Sequence, residues 1–178
     1  MSTKATHELA VFREFAQAIN LDLSDGNVEA RKPPQPDVWV STARVARFYE
    51  LGRILDEDEI AWTLEMIRQA PKPMPMDPAR FKLIERHVLV QKLGKMYATF
   101  GKPVDLLLYW DWERRTPWTA NDAPLGNTES FARSFAEHVL RPVLQSRILQ
   151  FEIIHYFHRR TKRVLWSYNS KTGQSGPA

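Results

Sequence analysis

One run near the middle of the chain limits the fold more than any other: Val104-Asp105-Leu106-Leu107-Leu108-Tyr109-Trp110. It has the length of a strand, and its nearly continuous apolar character suits a central strand buried on both faces. A sheet covered on both faces needs helices, and the flanking sequence supplies them. Glu8 to Ile19 sets Leu9, Phe12, Phe15, Ala16 and Ile19 at helical spacing. Asp56-Glu57-Asp58-Glu59 loads carboxylates onto the start of a helix over 57–69, where the helix dipole favours them. Pro71, Pro73, Pro75 and Pro78 make an extended linker, and Arg80 to Phe100 then reads as the longest helix. Leu83, Val90, Leu93, Met96 and Tyr97 are its expected buried positions, and Gly101 its stop.

Trp112 to Leu125 reads as a polar loop containing aromatics, and Thr128 to Leu149 as a helix broken or kinked at Pro142. Phe151 to Phe157 and Arg163 to Tyr168 read as two strands around a basic turn, and residues 169–178 as a disordered tail. The expectation is one α/β domain over residues 1–168, a mixed sheet flanked by helices with a C-terminal helix and hairpin.

The candidate site lies in the segment Asn27 to Ile54. A short strand around Val28 to Arg31 precedes Pro33-Pro34-Gln35-Pro36, which forces an extended path because proline fixes φ and disfavours helix before it. Val38, Trp39 and Val40 form a second strand, and Val45 to Leu51 a third. A turn centred on Ala43 and Arg44 sets Asp37 opposite Glu50, with Cβ atoms about 5 Å apart. Like charges there repel, and a divalent cation between them removes the conflict. A slip of one residue would break the pairing.

Pro36-Asp37 on one strand, followed by Glu50-Leu51-Gly52 on the next, resembles the PD-(D/E)xK motif of restriction-endonuclease-like nucleases. The order of elements from Glu8 to Trp110 resembles that fold's core. The resemblance implies Asp37 and Glu50 as ligands of Mg²⁺ or Mn²⁺, with the Leu51 carbonyl as a third. Glu29 on the preceding strand, or Glu14 on the first helix, would add another carboxylate. The motif's lysine position holds Gly52, and Arg53 does not replace it, because adjacent strand residues point to opposite faces. In the family, the long helix packs beside the active hairpin, and relocated lysines occur on it. Here that helix carries Gln91-Lys92-Leu93-Gly94-Lys95, so Lys92 or Lys95 takes the lysine role, Lys92 preferred, with Gln91 as an orienting neighbour. The activity implied is metal-dependent hydrolysis of phosphodiester bonds in nucleic acid, DNA first. The alternative is a catalytically inactive binding or assembly protein on the same scaffold, with homo-oligomers paired through an edge strand.

Composition narrows the rest. The chain has no cysteine, which excludes disulfides, thiolate metal sites and a cysteine nucleophile, and fits a cytoplasmic protein. The charged N-terminus does not read as a secretory signal, and no apolar run is long enough to span a membrane. Net charge is +4, which permits nucleic-acid binding. The basic turn offers Arg159, Arg160, Lys162 and Arg163 as phosphate contacts beside Tyr156, Phe157 and Trp166, and the tryptophan-rich loop from Trp110 to Trp118 offers a partner surface. His155 and His158 are set to face opposite sides of one strand and so not to ligate one metal together. No Walker loop, HExxH or GxSxG is present.

Overall fold

The structure, a computed structural model, describes residues 3–54, 88–110, 136–159 and 161–176. The expected helix over 57–69, the proline linker, the start of the long helix, the loop over 112–125 and Arg160 lie outside them. The described residues form a mixed α/β arrangement around a seven-stranded sheet whose spatial order follows the chain. Helix α1 (Thr3–Ala18) comes first, then β1 (Asn27–Ala30), β2 (Val38–Ser41) and β3 (Ala46–Arg53). A helix, α2, whose described residues are 88–93, precedes β4 (Val104–Trp110). A π-helical turn (Ala136–Leu140) runs into α3 (Arg141–Gln145), followed by β5 (Ile153–His158), β6 (Arg163–Asn169) and β7 (Ser175–Gly176).

Strands β1 to β3 form an antiparallel meander, while β4 runs parallel to both β3 and β5. The central position of β4 follows from its apolar run: Leu106, Leu107 and Leu108 are all fully buried. Leu107 and Tyr109 join Val38, Val40, Tyr49 and Leu51 under the apolar stripe of α1, formed by Leu9, Val11, Phe12, Phe15 and Ala16. Leu106 and Leu108 face the other way, onto Leu89 of α2 and onto Ala136, Leu140 and Leu144. Pro142 stands in the first turn of α3, where its missing N–H costs nothing, so the break expected there falls at the junction with the π turn.

Four expectations change. The long helix ends at Leu93, not Phe100, because residues 95–99 bond to other elements: Ala98 N–H donates to Pro34 O at 3.0 Å, and the Gln150 side chain donates to the Lys95 carbonyl. Met96, expected in the core, is therefore exposed, and Gly101 belongs to a turn ahead of β4. The segment from Asn169, expected to be a disordered tail, turns back through Gly173 (φ 67°) and adds β7 to the sheet. Glu137 ties it down, its Oε1 accepting from both Trp166 Nε1 and Ser175 Oγ at 2.7 Å. Among the described residues no helix is long and apolar enough to cross a membrane.

Candidate active site

The β2–β3 hairpin has the register that the turn at Ala43 and Arg44 requires. Val38 pairs with Tyr49, Trp39 with Phe48 and Val40 with Arg47. One step further, past the end of β2, Asp37 stands opposite Glu50. The ladder ends there, and the Asp37 side chain takes over as acceptor: Leu51 N–H donates to Asp37 Oδ2 at 2.9 Å. The N–H and C=O of a strand residue point to the same side, so the Leu51 carbonyl faces the Asp37 side as well. The Leu51 side chain packs on the opposite face, beneath α1.

Glu50 and Gly52 alternate with Leu51 and so look toward α2. A Cβ on Gly52 would lie 2.8 Å from Leu108 Cδ2, 3.3 Å from Val88 Cγ1 and 3.7 Å from Lys92 Cγ. The helix thus rests directly on the glycine. Leu89 and Val88 anchor it in the apolar cluster, and the stem of Lys92 runs over Gly52 toward the acids. Lys92 Nζ donates to Glu50 Oε1 at 2.5 Å and lies 3.8 Å from Asp37 Oδ2. A side chain at position 52 would press first on Leu108 of β4 and Val88 of α2, so the glycine is what lets the helix sit this close to the sheet.

Burial is the main influence on Glu50, pushing its pKa up, with the Asp37 charge adding to the rise and Lys92 opposing it. The Tyr97 hydroxyl is buried close to Glu50, near enough for the carboxylate to raise its pKa further after burial has done so. Among the described residues the hydroxyl has no hydrogen-bond partner within normal geometry. Tyr97 therefore remains a donor, held by ring packing on Phe151 at 5.7 Å. Removing a buried hydroxyl that lacks a partner is neutral or favourable by about 1 kcal/mol. Tyr97→Phe is accordingly expected to melt at or above the wild-type temperature; a fall of several degrees would mean that the hydroxyl bonds Glu50 in solution.

Glu8 of α1 is a carboxylate the sequence reading missed. It is buried, its pKa is raised by burial and then by the nearby Asp37 charge, and it pairs with Lys4 at 3.3 Å. The spacing of four from Lys4 on a helix was its one sequence signal. Glu14, the helix carboxylate considered instead, is bound to Arg159, whose Nε and Nη2 donate to its two oxygens at 2.8 and 2.7 Å. Glu14 is thus engaged by Arg159, and Arg159, expected at an open basic turn, is buried in that ion pair. Glu29 is held by Arg31 at 2.5 Å and by the Asn27 side chain. Gln91 and Lys95 are exposed, and the helix ends before Lys95, so the two lysines share no helix face. Lys162 and Arg163 lie at the exposed tip of the last hairpin. His155 bonds Ser167 Oγ at 3.0 Å and His158 bonds Thr161 Oγ1 at 2.9 Å, each with its own partner.

The geometry therefore gathers Asp37, Glu50, Leu51 and Lys92. Among the described residues no three His, Asp or Glu side chains are close enough to hold one ion between them. Two carboxylates completed by waters are a sufficient protein contribution for Mg²⁺, and hard oxygen donors suit it, so the donor chemistry fits. No family model, curated protein or solved structure matches this chain.

Proposed function

We propose that this protein is a restriction-endonuclease-like, metal-dependent nuclease that hydrolyses phosphodiester bonds in nucleic acid, DNA first. The observation that supports it most is the meeting of Asp37, Glu50 and Lys92 from three separate stretches of chain. Asp37 and Glu50, with the Leu51 carbonyl, would hold one or two Mg²⁺ or Mn²⁺ ions. When bound, such an ion activates water and offsets charge at the phosphate and the leaving oxygen. Lys92 would turn from Glu50 to a non-bridging phosphate oxygen or orient the attacking water. Leu51 N–H fixes the Asp37 carboxylate before substrate arrives. The inactive-scaffold reading gains weight only if the acids prove indifferent to metal.

The test is Mn²⁺ titration of the wild type and Asp37→Asn while following the melting temperature. A ligand that binds only the folded state adds about 2.7 kcal/mol at a hundredfold excess over its Kd. Stabilisation of the wild type and not of the variant supports the metal site, and cleavage assays on DNA and RNA then follow. Equal responses, or none up to millimolar metal, would move the protein to the binding-only reading.

A further inference from the structure

The segment joining α2 to β4 is ordered in an unusual way. Ala98 is tied to Pro34, just ahead of Asp37, and Tyr97 reaches toward Glu50. Lys102 N–H then donates to Thr99 O at 3.0 Å, closing a tight turn whose central residues, Phe100 and Gly101, have φ of 52° and 75°. Positive φ at both central positions is the pattern of a type I′ turn, where Asn-Gly is strongly favoured. A bulky phenylalanine at the first of them is conformationally costly. Burial does not offset that cost, since Phe100 is 77% exposed, and Met96 of the same segment is 89% exposed. Lys95 and Lys102 are exposed on the same segment, and among the described residues neither has an ion-pair partner.

We propose that residues 95–102 form a docking surface for a single strand of nucleic acid, with Phe100 stacking on a base and Lys95 and Lys102 against its phosphates. An exposed ring matches the face that every unpaired base presents, and the two exposed lysines of the same segment match the backbone charge. In a duplex those faces are stacked inside and closed to a ring on a loop. The surface deepens the nuclease reading, on which it rests for its direction: Tyr97 and Pro34 connect the segment to the acids.

Fluorescence anisotropy with a short labelled oligothymidylate and with a duplex, in EDTA so that nothing is cut, tests the surface. The wild type is expected to prefer the single strand. Phe100→Asn, which suits the left-handed turn, is expected to bind it at least fivefold more weakly while melting at or above the wild-type temperature. Phe100→Ala is expected to show the same loss of affinity. Unchanged single-strand affinity in both variants, absence of single-strand binding by the wild type, or equal weakening for duplex would each overturn the proposal. Cleavage by the wild type with unchanged Phe100→Asn affinity removes this surface alone. Binding that depends on Phe100, with no cleavage and no response of Asp37 to metal, removes the nuclease reading alone.

Discussion

On the nuclease reading, Lys92→Met is expected to reduce phosphodiester cleavage by about a hundredfold or more, and on any reading to destabilise the protein by about 2–4 kcal/mol. Methionine keeps a stem of similar length over Gly52, so the change removes mainly charge. Left behind are Glu50, almost wholly buried, and Asp37 opposite it. The sign of the pH dependence follows from Glu50. Its folded pKa already lies above the ordinary carboxylate value because of burial, and losing Lys92 raises it further. An acid with a raised folded pKa supports folding below its unfolded pKa and loses that contribution as pH rises through the folded one. The penalty of Lys92→Met should therefore be smaller near about pH 5 than near about pH 8. Urea denaturation at the two pH values measures it. Glu50→Gln combined with Lys92→Met should regain much of the stability and none of the activity. A single variant as stable as the wild type at the higher pH would show that the ammonium is not held by these acids.

The second large effect lies away from the site, at Asp105. This residue is 1% exposed, accepts from Arg47 Nη1 at 2.5 Å and from Ile153 N–H at 3.1 Å, and joins β3, β4 and the start of β5. Asp105→Ala leaves a buried N–H and part of a guanidinium without their acceptor, an expected loss of about 3–5 kcal/mol. Its denaturation midpoint should fall far below that of Asp105→Asn, which can keep the bond to Ile153. On the nuclease reading, cleavage per folded molecule should survive in both. If Asp105→Ala unfolds at the wild-type midpoint, Arg47 and Ile153 have other partners in solution. The pair of variants also separates loss of fold from loss of chemistry when Lys92→Met is assayed.

The parts of the molecule that the sequence makes legible are those with local causes. The proline run and the β-branched and aromatic residues after it lead to the β2–β3 hairpin in its observed register, and the apolar run over 104–110 leads to the central strand. Of the two lysines on the Gln91–Lys95 segment, it is Lys92 that reaches the acids. What was not legible depends on distant partners. The helix stops at Leu93 because Pro34 and Gln150 bind the chain beyond it, and the tail is folded because Glu137 holds Ser175. Arg159 looked like a solvated turn residue because its partner Glu14 lies 145 positions away. Asp105 carried a signal that went unused: a lone carboxylate in an apolar strand needs a buried partner.

Glycine at position 52 divides the candidate site between two bodies. The acids are fixed to the sheet, whereas the cation belongs to a helix seated on that sheet by Val88 and Leu89. Sliding or tilting α2 by a fraction of a turn would carry Lys92 away from Asp37 and Glu50 without disturbing a single strand. The packing of this helix is thus a setting for the site, and apolar residues that never touch the two acids gain a say in where their cation stands.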